Sequence, residues 1–147
     1  MQEPTITIMA ILKSAWALAD DLHKDNIRFS TGDVDTPPRK PLQITVTEDS
    51  SLDEIFELGY GTIRVTSVLQ AEVKVTVVDD TTKGPGIAKD NRFSIIKEIR
   101  RIIKANKTGL TDLDKVELRG RGRNINQLYR NPPVFGYIQK FLITYYE

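Results

Sequence analysis

Between Thr62 and Val78 the chain runs TIRVTSVLQAEVKVTVV. Ile63, Val65, Leu69, Ala71, Val73, Val75 and Val77 hold odd positions, and Arg64, Thr66, Gln70, Glu72, Lys74 and Thr76 fill the even ones. Successive side chains of a strand point to opposite faces, so this alternation predicts a ribbon with one apolar and one polar side. The run exceeds the usual strand length of roughly five to six residues. It predicts two strands, or one long bent ribbon, broken near Ser67 to Gln70. A sheet with one wet face is characteristic of antiparallel pairing with its other face covered.

Upstream, Leu42 to Val46 alternates as a second half-buried strand, and Glu48 to Ser51 is polar and turn-like. Ile8, Ile11, Leu12, Ala15, Ala19 and Leu22 recur at helical spacing, predicting an amphipathic helix from about Thr5 to Lys24 with Thr5 or Thr7 as its cap. Between them, residues 25–41 contain Gly32, Pro37, Pro38 and Pro41 and are expected to be a loop. Downstream, Asp79 to Asp90 predicts an exposed loop, and Asp90 or Asn91 is placed to cap a second helix. That helix carries Phe93, Ile96, Ile99 and Ile103 as a stripe, widened by Ile95 and Ile102, with Arg92, Lys97, Arg100, Arg101 and Lys104 opposite. Gly109 suits its C-terminal cap. Val116 and Leu118 suggest a short strand, Arg119 to Arg123 a loop, and Phe135 to Tyr145 a closing strand. The order predicts an α+β domain over residues 1–147: a mainly antiparallel sheet with two main helices packed on one face. Residues 25–41 and 79–90 are its long loops.

The chain has 147 residues, within the range of one domain, and 21 basic against 20 acidic residues leave a net charge of +1. Any nucleic-acid contact must therefore come from a local patch. Without cysteine, the chain has no disulfide, thiolate metal site or cysteine nucleophile. No stretch approaches the roughly 20 apolar residues of a membrane helix, and Met1 to Pro4 lacks the start of a signal peptide. Synthesis and use in a cytoplasm are expected.

Chemistry-bearing patterns are sparse. His23 is the only histidine and is expected to be a polar helix-end residue. Ser14, Ser30, Ser67 and Ser94 have no histidine at a motif spacing. The doublets Asp20-Asp21, Asp53-Glu54 and Asp79-Asp80 suit solvated faces or turns better than acid–base chemistry. Lys83-Gly84-Pro85-Gly86 lacks the pattern of a phosphate-binding loop and is expected to be a flexible loop able to reach a neighbouring subunit. No catalytic, metal or cofactor site is expected. The unusual local feature is Arg-Gly-Arg-Gly-Arg at Arg119 to Arg123. Arginine binds phosphate bidentately and glycine allows close approach, which points to DNA or an acidic partner surface. The competing expectation is a solvated hairpin tip. Arg119, Arg121, Arg123, Lys83, Arg92 and Arg100 are the candidate interface or DNA-facing residues. The C-terminal part is rich in aromatics, Tyr129, Phe135, Tyr137, Phe141, Tyr145 and Tyr146, expected mostly as core.

One ordered set of features resembles a known family. The ribbon AEVKVTVV (Ala71 to Val78) precedes a polar loop and the helix NRFSIIKEIRRIIKAN (Asn91 to Asn106). A strand, the breaker-rich Leu128 to Pro133 and a terminal strand ending in Ile143-Thr144-Tyr145-Tyr146 follow, and a helix precedes the sheet. In this order the chain resembles tail terminator (tail completion) proteins of tailed phages and related tailed viruses. The resemblance covers about 5–147 in outline and 60–147 in texture. Residues 25–58 have no assignable counterpart, which keeps a neighbouring neck or head–tail joining protein open.

The resemblance implies a non-enzymatic virion protein without cofactor, assembled in the host cytoplasm. It implies a homo-oligomeric ring, commonly a hexamer, on the head-proximal end of the tail tube. Such a ring stops tube growth and joins the tail to the head. Its partners would be copies of itself, the tail tube protein, head connector or neck proteins, and DNA passing through. The alternative is a small nucleic-acid-binding domain using the Arg-Gly segment and the basic helix face.

Overall fold

A computed structural model describes residues 3–31, 40–59, 61–77, 85–110, 112–129 and 132–146, with the backbone alone for 50–59, 62 and 85. In chain order the elements are α1 (Pro4–Ala15), β1 (Ile27–Ser30), β2 (Leu42–Gly59), β3 (Thr62–Thr76), α2 (Pro85–Ala105), β4 (Lys115–Gln127) and β5 (Val134–Tyr146). The strands form one five-stranded sheet in the order β1-β2-β3-β5-β4. Every pairing is antiparallel except β1 with β2. The fold is thus α+β, with a mainly antiparallel sheet.

β3 lies at the centre of the sheet, with one edge paired to β2 and the other to β5. Its odd residues Val65, Leu69, Ala71, Val73 and Val75 join one buried cluster with Ile44 and Val46 of β2 and Phe135, Phe141 and Ile143 of β5. Both helices close the same cluster, α1 through Ile8 and Leu12, α2 through Ile95, Ile99, Ile102 and Ile103. Phe141 at full burial fills its middle. The opposite face is polar and carries ion pairs such as Lys140 with Asp49 at 2.8 Å.

Several expectations are corrected. β3 is unbroken; the irregularity lies in its partner, where residues 50–53 fall between the Asp49–Val68 and Glu54–Thr66 pairs. Glu48 to Ser51 is therefore strand, not turn. Within the expected loop 25–41, Ile27–Ser30 forms β1, parallel to Leu42–Thr45 of β2. Parallel neighbours cannot be joined by a tight turn, and residues 31–41 lie between the two strands in sequence. α2 begins at Pro85, so 85–90 is helix; proline suits a first turn, whose N–H groups have no intrahelical partner. Residues 79–84 lie outside the described residues. Phe93 leaves the predicted stripe and is 67% exposed, its place taken by Ala88 and Ile95.

α1 stops at Ala15 rather than Lys24. Glu3 holds the cap position, with Pro4 following, and the Thr5 hydroxyl donates to Glu3 Oε1 (2.9 Å) in place of capping itself. The helix end is set by α2. Arg101 Nη2 donates to the Ala15 carbonyl (2.8 Å), and the Ala17 N–H donates to Glu98 Oε2 (2.9 Å). Groups that would otherwise continue the helix are thus satisfied from another element. Beyond it, Trp16 packs edge-on against Phe29 and its indole donates to the Leu22 carbonyl. Short 3-10 turns, Asp20–Leu22 and Lys24–Asn26, lead to β1.

Candidate interaction surface

The Arg-Gly-Arg-Gly-Arg segment is strand, not loop. It lies inside β4, which runs well past the expected Val116-Glu117-Leu118. Arg119 pairs with Lys140 and Arg123 with Ile138, so Gly120, Arg121 and Gly122 together face Gln139 as a bulge. Both glycines are needed. Gly120 takes φ +62°, and a Cβ on Gly122 would sit 2.2 Å from the Ile138 carbonyl oxygen and 2.3 Å from the Tyr137 ring. Gln139, 1% exposed, holds the bulge: its Nε2 donates to the Gly120 carbonyl (3.2 Å). Arg119, Arg121 and Arg123 are all exposed, and none forms a side-chain hydrogen bond or ion pair with another described residue.

Arg92 and Arg100 behave differently. Arg100 Nε donates to Gln139 Oε1 (3.2 Å), Nη2 donates to the Tyr137 hydroxyl, and the guanidinium lies 5.7 Å over the Tyr137 ring. Arg92 Nη1 donates to Asn126 Oδ1 (2.6 Å) and lies 5.7 Å over Phe135. Partial burial lowers the Arg92 pKa from its ordinary value. Arg92 therefore ties α2 to β4 and β5, and Arg100 ties it to β5. Lys83 lies outside the described residues.

Between α2 and β4 runs a groove of about 690 Å³. Lys89, Arg92, Lys97, Arg100, Arg101 and Lys104 line it, with Phe93, Ile96, Asn124 and Tyr137. The α2 members fall three and four residues apart, the spacing of one helix flank. Exposed Phe93 gives this basic groove an apolar lip. Sequence patterning assigns Phe93 to the core; α2 is turned so that Ala88, Ile95, Ile99 and Ile102 meet the cluster, which leaves Phe93 on the basic flank beside Lys89 and Arg100.

Glu98, at 5% exposure, is the buried charge of the region. Burial raises its pKa, but Arg101 and the backbone N–H groups of Ala17 and Leu18 outweigh that, and the net shift is downward. His23 Nδ1 accepts the Asp25 N–H (3.1 Å), a capping contact at a turn. Ser14 donates to the Ile11 carbonyl, and buried Ser67 to Glu48 Oε1. A second hollow of about 290 Å³ is lined by Asp21, Asp25, Lys40, Ile87 and Asn91, where Lys40 Nζ donates to the Asp25 carbonyl (2.6 Å). Among the described residues no three His, Cys, Asp or Glu side chains gather as a metal site. No described helix is long and apolar enough to cross a membrane. The chemistry this surface offers is the binding of anionic or acidic surfaces.

Compared with models of protein families and with curated proteins, the sequence matches neither.

Proposed function

We propose that this chain is a structural virion protein of the tail-terminator or neck type, forming a ring at the head-proximal end of a viral tail. The observation that carries the reading is the sheet with its edges left open. Among the described residues β4 pairs on one side only, with β5, and β2 pairs with β1 only over Leu42–Thr45. Open edges are templates for another chain, and a ring closes each on a neighbour. The element order on which the family resemblance rests, ribbon, helix, strand, terminal strand, also supports it. In such a ring the partners are further copies, the tail tube protein and the head connector, and the exposed arginines of β4 are available to DNA or to acidic protein.

Light scattering of the purified protein over a concentration series, alone and with tail tube protein, tests this. A closed ring, a hexamer above all, is expected. A monomer that neither self-associates nor binds tube protein would sink the reading.

The basic groove beside Phe93 favours one second reading, a small nucleic-acid-binding domain. Phosphates would meet Lys97 and Lys104, and a base would stack on Phe93. That reading requires binding that weakens steeply with salt. Salt-insensitive or absent binding removes it.

A further inference from the structure

At one end of the sheet the short β1, with Arg28 as its single charge, covers only Leu42–Thr45 of β2, and the uncovered length of β2 differs in charge from β4 at the other end. From Val46 to Gly59 no described strand pairs with the outer edge of β2. The sequence of that stretch holds Glu48, Asp49, Asp53, Glu54 and Glu57 and no lysine or arginine. The other open edge, β4, holds Lys115, Arg119, Arg121 and Arg123 against the single acid Glu117. A chain of net charge +1 thus has an acidic uncovered stretch of β2 toward one end of the sheet and a basic β4 at the other.

That sorting restricts how copies can meet. Pairing β4 with β4, or β2 with β2, sets like charges opposite each other, which destabilises a ladder. Both are isologous contacts, which give two-fold dimers. Pairing β2 of one copy with β4 of the next sets opposite charges together. It is heterologous, and heterologous contacts close into rings when the rotation allows. Each edge is also interrupted, β2 at residues 50–53 and β4 at 120–122. Neither offers an unbroken ladder to an arbitrary strand, so charge selects the partner.

We propose that the acidic outer edge of β2 docks on the arginine edge of β4 in a second copy of this chain, head to tail. The inference rests on the ring reading above and specifies its subunit contact. It assigns Arg119, Arg121 and Arg123 to protein rather than to nucleic acid.

A charge-swap experiment tests it. One variant carries Arg119→Glu, Arg121→Glu and Arg123→Glu; the other carries Asp53→Lys, Glu54→Lys and Glu57→Lys. Asp49 is left alone because Lys140 holds it at 2.8 Å. Each variant alone has two like-charged edges and is expected to lose the oligomer seen in wild type. Mixed in equal amounts they restore it, because each reversed edge now meets its complement. Circular dichroism checks that each is folded. Should a reversed variant fail to fold, the neutral triple Arg119→Gln, Arg121→Gln, Arg123→Gln replaces it and must also dissociate.

Variants that keep the wild-type mass, or folded variants whose mixture stays dissociated, overturn the proposal while leaving the ring reading standing. So does an arginine variant that retains its oligomer and loses only salt-sensitive DNA binding. A wild type that never assembles, alone or on tube protein, defeats both, and the wild-type control separates that case from the others.

Discussion

The basic flank of α2 and the arginines of β4 look alike as sequence and differ as structure. On α2, Arg92 and Arg100 lie over Phe135 and Tyr137 and donate to Asn126, Gln139 and Tyr137. Arg101 meets Glu98 and the Ala15 carbonyl. On β4, Arg119, Arg121 and Arg123 stand exposed on an edge held in shape by two glycines. One set of cations holds the fold together; the other is held out by it. A positive charge is therefore evidence for a partner only after its internal contacts are known.

Substitutions at four positions sharpen or break that contrast. The largest effect is expected at Glu98, whose carboxylate joins α2 to the end of α1. Glu98→Ala removes charge-assisted hydrogen bonds and should cost about 3 kcal/mol in denaturant unfolding. Its folded-state pKa is lowered, so its contribution is present above the ordinary glutamate value of roughly 4.3 and is lost as pH falls through the folded value. Wild type should weaken in that acid window, and Glu98→Gln should show a flatter profile there; equal profiles would remove Glu98 from the account.

Gly122→Ala comes next. Its Cβ meets backbone at 2.2 Å, and overpacking of this kind costs about 2 kcal/mol. A melting temperature equal to wild type would mean that the bulge relaxes freely. Arg100→Ala leaves the buried Gln139 Oε1 without its donor and should cost about 1.5 kcal/mol by the same denaturant measurement. The smallest effect on stability belongs to Arg121→Ala, which should leave the unfolding midpoint at its wild-type value while weakening self-association. If Arg121→Ala destabilised as much as Arg100→Ala, the division between the two sets would fail.

Much of the architecture was legible in the chain. The alternation of 62–78 gave the central ribbon, and the isoleucines 95, 99, 102 and 103 gave the inner face of α2. The candidate surface was only half legible. The Arg-Gly segment stood out as unusual, but its glycines also fit a hairpin tip. They mark a bulge here because Gln139 and Tyr137, remote in sequence, lie against them.

Local sequence determined the one-sided sheet and the amphipathic helices, because backbone geometry fixes side-chain periodicity within each element. Tertiary structure decided where α1 ends, which arginines are engaged, and that the acidic stretch of β2 and the basic β4 fall toward opposite ends of the sheet. Each depends on groups brought together from far apart in the chain, as Glu98 is to Ala17, and no local pattern encodes that meeting.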